Sequence, residues 1–147
     1  MAEGHEIAMA LRRAYLTMHR QADAALAPFE LTANQFVLLA LLNERDGVSQ
    51  RDLVDRASSD PNTIRPVLQA LEGKGLIRRS PDPTDGRAWM VEITTFGSRT
   101  YAHVRLRTED FRKQLMSGLQ NEEADLLLRA LEKVALAMTE ETTVSGQ

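Results

Sequence analysis

The chain has 147 residues, of which 43% are hydrophobic, and a formal net charge of −3 at pH 7. It is long enough for one domain with helical extensions and apolar enough to bury a core, which excludes wholesale disorder. It contains no cysteine, which excludes a disulfide framework, a thiolate metal site and cysteine-based redox sensing. The longest apolar run, Phe36 to Leu42, is too short to span a bilayer. We therefore expect a soluble, cytoplasmic protein without a cofactor.

The first two predicted helices differ in how their apolar residues are distributed. Residues 5–27 carry an apolar stripe at helical spacing, and Pro28 ends that helix. Thr32 and Gln35 form a capping box ahead of the apolar run from Phe36 to Leu42. Because this second helix is apolar on nearly all sides, we expect it to lie at the centre of the core.

A short helix, a turn and a longer helix follow. Ser49 is a typical N-cap for a helix that continues to about residue 57. Asp60 and Pro61 combine an N-cap with a proline at the first helical position, and they predict a helix to about residue 74. This order is typical of a helix-turn-helix.

A hairpin is predicted directly after the longer helix. Gly75 is suited to the left-handed conformation that ends a helix. Residues 77–80 and 88–93 are predicted strands, and the acidic segment 82–86 forms the turn between them. Together, residues 31–95 predict a winged helix-turn-helix, in which the second helix of the motif fits the major groove of B-DNA.

The ends of the chain are predicted to be helical. Thr94 or Thr95 caps a helix over residues 96–117, and a last helix with a continuous apolar face begins near Asn121. A lone winged helix needs only about half of the chain, so these helices have little protein to pack against. We expect residues 1–30 and 96–147 to form a helical dimerisation region on a second copy. The alternative is that they thicken a monomeric core. The expected fold is mainly α with a small β-hairpin.

The polar face of the second helix of the motif predicts contacts to DNA bases. If its apolar residues face the core, its polar residues face outward. Arginine, asparagine and glutamine are the side chains that read base edges. Pro66 removes a backbone hydrogen bond inside this helix, so we expect a distorted first turn or a regular helix that begins near Thr63. The alternative is an ordinary solvated face. The expected base contacts are Asn62, Thr63, Arg65 and Gln69.

The predicted hairpin and the start of the short helix supply candidate contacts to the DNA backbone. Arg87, near the tip of the hairpin, is expected to reach phosphate or the minor groove. Asp85 is expected to hold its guanidinium in a bidentate pair, although a plain surface ion pair is the alternative. Free backbone amides favour phosphate contacts at a helix start. The further candidates are Ser49, Gln50, Arg51 and Arg78. Lys74 and Arg79 are expected to add positive charge, although either Arg78 or Arg79 must point to the opposite face of the strand.

The acidic total charge argues against a nucleic-acid binder, because such proteins usually carry a basic surface. Between Arg51 and Arg99 there are eight basic and seven acidic residues, so the acidic excess lies outside this segment. The placement of charge on one face, and not the total, decides contact with phosphate.

The segment LEGKGLIRRSPDPTDGRAWMVEITTFG resembles the multiple-antibiotic-resistance regulator (MarR) family of transcription factors, and the order of elements agrees over nearly the whole chain. The resemblance implies an obligate homodimer that binds a palindromic operator with its wings in the flanking minor grooves. It also implies that Arg87 is the wing contact and that Asp85 supports it. The positions that match the family pattern are Leu71, Gly75, Leu76, Asp82, Asp85, Arg87, Thr94 and Gly97.

The resemblance further implies release of DNA by a small aromatic or phenolic ligand that binds where the dimer helices meet the reading domain. The candidates to line such a pocket are Arg12, Tyr15, His19 and Phe36. For Tyr15 and Phe36 the alternative is packing on apolar faces, and for His19 it is a surface or interface position. Release would follow if the ligand prefers a dimer whose reading helices are misplaced.

Two other classes of protein compete with a regulator. A winged helix used only for protein–protein assembly would need neither an arginine at the wing tip nor base-reading side chains. An enzyme is not indicated, because His5, His19 and His103 are scattered and no metal-ligand spacing, nucleophile–base set or phosphate loop is present. We expect a dimeric DNA-binding transcriptional regulator that acts as a repressor. The alternative is an assembly module without specific DNA binding.

Overall fold

The computed structural model describes the backbone of residues 1–145 and the side chains of residues 1–139. It divides into two compact units, Met1–Phe111 and a second unit that begins at Arg112. In chain order the elements are α1 (Gly4–Leu26), a 3-10 turn (Ala27–Phe29), α2 (Ala33–Glu44), β1 (Val48–Ser49), α3 (Gln50–Arg56), α4 (Pro61–Gly73), β2 (Ile77–Pro81), β3 (Trp89–Ile93), α5 (Thr95–Arg107), α6 (Glu109–Ser117) and α7 (Asn121–Ser145).

Helix α2 lies in the core of the first unit, as its composition predicts. The capping box forms: Thr32 Oγ1 accepts the Gln35 N–H and Gln35 Oε1 accepts the Thr32 N–H, both at 3.2 Å. Asp23 of α1 adds a third acceptor, since its Oδ1 lies 2.7 Å from the Ala33 nitrogen. Three N–H groups at the start of α2 are therefore satisfied by side chains. The largest fully buried side chains are Leu38, Leu39, Leu42, Leu53, Leu68, Leu71, Val91 and Val104.

The sheet has three antiparallel strands in the order β1-β3-β2. Strands β2 and β3 form the predicted hairpin, with Ile77 opposite Ile93. The third strand, β1, is not predicted by the sequence pattern, because two residues are too short to show an alternation of apolar and polar side chains. It pairs Val48 with Val91, and both of these side chains are buried.

Helix α4 begins at Pro61, which confirms the start predicted from Asp60 and Pro61, and the alternative of a regular helix that begins near Thr63 is wrong. Asp60 Oδ1 accepts the Thr63 N–H at 2.9 Å, and Asp60 Oδ2 accepts the Thr63 hydroxyl at 2.8 Å. These bonds, the side-chain one first, lower the pKa of Asp60 below its usual value. Pro66 lies inside the continuous helix. Burial of the apolar face of α4 offsets the hydrogen bond that the proline removes.

The end of α4 and the start of α5 meet at a close backbone approach. Gly75 has φ +74°, which confirms the left-handed stop. Thr94, and not Thr95, is the N-cap of α5, because its Oγ1 accepts the Gly97 N–H at 2.9 Å. A Cβ at Gly97 would lie 2.0 Å from the Leu76 carbonyl oxygen, so only glycine fits there.

The single helix predicted over residues 96–117 is two helices, α5 and α6, with Thr108 between them. The buried Thr108 hydroxyl donates to the Val104 carbonyl oxygen at 2.8 Å. A threonine that bonds back to the carbonyl four residues earlier competes with the regular helical pattern. The apolar periodicity on both sides gives no sign of this break, which explains why the prediction was too long.

Candidate nucleic-acid interface

Helix α4 separates an apolar face from a polar one. Ile64, Leu68 and Leu71 are buried, with at most 4% of their surface exposed. The four side chains predicted to contact bases are all exposed on the remaining surface, together with Pro66. The hydroxyl of Thr63 is already used in the N-cap, which leaves its methyl group for apolar contact with a base. The exposed predicted contacts are Asn62, Thr63, Arg65 and Gln69.

The start of α3 uses its predicted residues in different ways. Ser49 is half-buried, and its Oγ accepts the Asp52 N–H at 3.0 Å, so it acts as the N-cap of this seven-residue helix. Gln50 is half-buried, and its Oε1 accepts a hydrogen bond from Arg79 Nη1 at 3.4 Å. Arg51 is exposed. As the N-cap, Ser49 Oγ uses only an acceptor site, so its hydroxyl can still donate to a phosphate, as can the side chains of Gln50 and Arg51.

Arg78 and Arg79 point to opposite faces of β2, which confirms that only one of them faces outward. The Arg78 side chain is 68% exposed, and its Nη2 lies 3.5 Å from Glu92 Oε2. That ion pair is solvated and contributes little to stability. Arg78 therefore keeps its charge accessible to solvent. Lys74 instead donates to the Glu30 carbonyl oxygen and to Gln35 Oε1, and so stabilises the fold.

Arg79 is a residue whose importance the sequence pattern does not reveal. Only 17% of its side chain is exposed. Its Nη2 and its backbone N–H both donate to the Glu72 carboxylate at 3.2 Å. Its guanidinium carbon lies 5.8 Å from the centroid of the Trp89 ring. The side chain thus joins β2 to the end of α4, to the start of α3 through Gln50, and to the start of β3.

The wing tip is organised by two short-range turns. Asp82 Oδ1 accepts both the backbone N–H and the hydroxyl of Thr84 at 2.8 Å, and these bonds lower the pKa of Asp82. Asp85 Oδ1 accepts the backbone N–H of Arg87 at 3.1 Å. The prediction that Asp85 holds the Arg87 guanidinium in a bidentate pair is therefore wrong in this structure: a carboxylate two residues earlier reaches the backbone more readily. Arg87 is exposed.

A groove of about 180 Å³ lies beside α4 in the first unit. Tyr15 of α1 lines it, together with Val37 of α2, Ser58 and Ser59 of the loop before α4, and Thr63. Like the rest of the lining within this chain, these side chains carry no formal charge. The groove thus offers one aromatic side chain and several hydroxyl groups, in a space smaller than the roughly 300–1,000 Å³ of typical ligand sites.

The four predicted ligand residues are not gathered in this groove. His19 stacks on Tyr15 with ring centroids 5.6 Å apart, and its Nε2 lies 3.5 Å from Asp23 Oδ2. Phe36 packs on Tyr101 of α5, with centroids 5.2 Å apart. Arg12 is exposed and does not line the groove. Of these four predicted residues, only Tyr15 lines the groove, and His19 contacts the Tyr15 ring.

No group of three or more histidine, aspartate or glutamate side chains among the described residues could hold a metal ion. No single described helix is long and apolar enough to cross a membrane. One bent pair, Gly4–Phe29 with Ala33–Glu44, meets that test by length and composition only.

Comparison with known proteins identifies the fold and the family. Residues 31–89, which contain the helix-turn-helix and most of the hairpin, match the model of the MarR family. The HTH-type transcriptional repressor Rv2887 of Mycobacterium tuberculosis is 30% identical over 97 residues, which cover 66% of this chain and 70% of that protein.

Two solved structures extend the likeness to most of the chain. The structure of BpsR from Bordetella bronchiseptica, whose DNA binding is regulated by 6-hydroxynicotinic acid, has a TM-score of 0.81 and 28% identity, and the match covers 88% of this chain and 98% of BpsR. The DNA complex of MepR from S. aureus has a TM-score of 0.78 and 26% identity, over 88% of this chain and 96% of MepR. The chain belongs to the MarR family of winged helix-turn-helix, DNA-binding transcriptional regulators.

Proposed function

We propose that the chain is a homodimeric repressor that binds a palindromic operator and is released from it by a small aromatic or phenolic ligand. The observation that carries the proposal is the division of α4 into a buried apolar face and an exposed face of base-reading side chains. A helix whose apolar face packs on the core can place its polar face in the major groove of DNA.

The proposed contacts divide between bases and backbone. Asn62, Thr63, Arg65 and Gln69 face the bases in the major groove, where arginine pairs with guanine and the two amides with adenine. Arg87 enters the minor groove or contacts phosphate from the wing tip. Asp85 shapes that tip through its bond to the Arg87 backbone. The backbone contacts come from Ser49, which also caps α3, and from Gln50, Arg51 and Arg78.

Exposed apolar surface supports a homodimer. In α1 of the first unit, Ile7 and Met9 are 46% and 53% exposed. In α7 of the second unit, Leu126, Leu128 and Met138 are each about 60% exposed. Apolar surface of this extent on terminal helices is typical of an interface with a second copy. Residues 1–30 and 96–147 are the proposed dimerisation region, of which residues 146 and 147 lie outside the described part of the chain.

The groove beside α4 supports regulation by a ligand. A molecule bound there contacts α1 and α2 on one side and Thr63 of α4 on the other. If it binds better when α4 is displaced, it lowers the affinity for DNA, and DNA lowers the affinity for the ligand by the same factor. The described regulation of BpsR by 6-hydroxynicotinic acid supports an aromatic ligand.

The test is selection of bound duplexes from a random pool with purified protein at near-physiological salt. We expect enrichment of an inverted repeat with half-sites about one helical turn apart, and light scattering should give the mass of two chains. A monomer, or recovery of no repeated motif with only weak, salt-sensitive binding, would contradict the proposal and favour an assembly module.

A further inference from the structure

The guanidinium of Arg79 is enclosed by the three elements that form the DNA-binding surface. Glu72, at the end of α4, and Gln50, the first residue of α3, accept hydrogen bonds from it. The ring of Trp89, the first residue of β3, lies beside it. The Arg79 Nε is buried and has no hydrogen-bond partner among the described residues. A donor buried in this way destabilises a fold, and an apolar side chain of similar volume often serves stability better. The charge at this position therefore calls for an explanation other than stability.

The contact with Arg79 determines which end of the Gln50 amide faces outward. A guanidinium carries only donors, so the amide atom that faces it must be the oxygen. The bond observed is from Arg79 Nη1 to Gln50 Oε1. The Gln50 nitrogen, with two N–H donors, is then left for a partner outside the described residues. A phosphate carries only acceptors, so this orientation has the polarity that the DNA backbone requires.

Glu72 holds the Arg79 guanidinium in the position from which it contacts the Gln50 amide oxygen. Its two carboxylate oxygens accept from the side chain and from the backbone N–H of the same arginine, each at 3.2 Å. The pair neutralises the charge of Arg79, so the arginine itself is not a free cation for DNA. The pair also joins β2, the first strand of the hairpin, to the last turn of α4, in which Glu72 lies.

We propose that Arg79 is a positioning residue for DNA binding. Arg79 orients the Gln50 amide so that the N–H donors of the amide face a phosphate. It also holds β2, at the base of the hairpin, against the end of α4. Arg79 itself does not contact DNA. This inference rests on the proposed phosphate contact of Gln50. Binding of the wild-type chain to a selected duplex tests the proposed function, Gln50→Glu tests the phosphate contact, and a double-mutant cycle tests the role of Arg79.

The first variant is Gln50→Glu, which keeps an acceptor for Arg79 and has no donor for phosphate. We expect it to fold with at least the wild-type midpoint of thermal unfolding. Its affinity for a labelled selected duplex, measured by fluorescence anisotropy, should fall by about tenfold or more, since a charge-assisted bond is lost and a repulsion is added. An affinity within about twofold of the wild type would overturn the proposal.

The second experiment is a double-mutant cycle with Gln50→Ala and Arg79→Met. We expect each single variant to bind about tenfold more weakly, and the double variant no more weakly than Arg79→Met, because an amide without its partner is no longer oriented. Losses that multiply in the double variant would overturn the proposal. If Arg79→Met does not fold, Arg79→Lys takes its place in the cycle, because a lysine keeps the charge beside Glu72 but lacks the planar fork that reaches both Glu72 and Gln50.

Arg78→Met is the matched control for the cycle. It removes the same charge from the adjacent residue, on the opposite face of β2 and more than two-thirds exposed. Its loss of affinity should multiply with that of Gln50→Ala, because these two contacts are independent. If Arg78→Met is coupled to Gln50→Ala as strongly as Arg79→Met is, any loss of charge on β2 weakens the Gln50 contact. That result would overturn the specific role of Arg79.

Discussion

The Thr94 hydroxyl donates a hydrogen bond to the Gly75 carbonyl oxygen at 2.7 Å, and this bond joins the start of α5 to the end of α4. The Thr94 backbone N–H adds a second bond, to the Leu76 carbonyl oxygen at 3.1 Å. The residue that caps α5 is therefore also bonded to the turn that ends α4. Within the first unit, the position of α4 depends on this junction as well as on its apolar face.

Gly97→Ala tests this junction. The added Cβ would meet the Leu76 carbonyl oxygen at 2.0 Å and Ile93 Cγ1 at 2.9 Å, so the backbone must move. We expect the free energy of unfolding, measured in urea, to fall by about 2–4 kcal/mol. The matched control is Gly73→Ala, where nothing lies within 4 Å of the new Cβ. The control should be neutral or slightly stabilising, and an equal loss in both variants would contradict the close approach.

Arg87→Ala should weaken DNA binding by about tenfold without changing the unfolding midpoint, because the side chain is exposed. The slope of log affinity against log salt should also become shallower by about one unit per protomer, or about two for the homodimer. The measurement is a titration of a selected duplex at several salt concentrations. Arg99→Ala removes a charge from α5 that is also exposed, and it should have a much smaller effect. Equal losses would indicate a non-specific effect of net charge.

The N-cap of α4 should give stability a dependence on acid pH. The pKa of Asp60 is lowered in the folded chain from its ordinary value of 3.8 by the bonds from Thr63. Its contribution to stability is therefore present above that value and is lost as pH falls through the lower, folded-state pKa. Asp60→Ala should unfold at a lower temperature than the wild type near neutral pH, and the difference should shrink towards pH 2.

Asp60→Asn is the control for that experiment. The asparagine keeps an oxygen that accepts the Thr63 N–H, but its amide does not titrate. The variant should therefore lack the loss of stability at acid pH that protonation of Asp60 causes in the wild type. A difference between the wild type and Asp60→Ala that stays constant from pH 7 to pH 2 would show that the carboxylate charge has no part in the cap.

Tyr15→Ala should remove the response to a ligand and leave the affinity for DNA unchanged. Tyr15 supplies an aromatic surface to a groove whose lining within this chain is uncharged. Phenol and benzoate are suitable probes, and we expect phenol to release DNA at lower concentration, because the lining offers no cation to a carboxylate. Tyr15→Phe keeps the ring and should keep the response. Release that is identical in the wild type and Tyr15→Ala would place the ligand elsewhere.

Local signals account for the parts of the fold that the sequence predicts. The capping box at Thr32, the aspartate–proline start of α4 and the left-handed Gly75 each depend on neighbours within a few residues. Strand β1 and the break at Thr108 leave no such signal, because the first depends on pairing with a distant strand and the second on a hydroxyl that bonds to the helix backbone.

The site was predicted unevenly for the same reason. Exposure of the α4 face follows from helical spacing alone, so its polar residues could be named in advance. The role of Arg79 could not, since Gln50 and Trp89 lie far from it in sequence and meet it only when the sheet forms. The contact of Asp85 was placed on the wrong group of Arg87, because residue types predict a charge pair and only the turn geometry shows the backbone bond.

The most direct test of the account is to select duplexes from one random pool with the wild type and with Arg65→Ala in parallel. Arg65 is exposed in the middle of the proposed reading face. We predict an inverted repeat for the wild type, and for the variant a repeat relaxed at one symmetric position in each half-site, at a cost of about 1–3 kcal/mol for the preferred base. The same motif from both proteins, with a uniform loss of affinity in the variant, would contradict base reading by this face of α4.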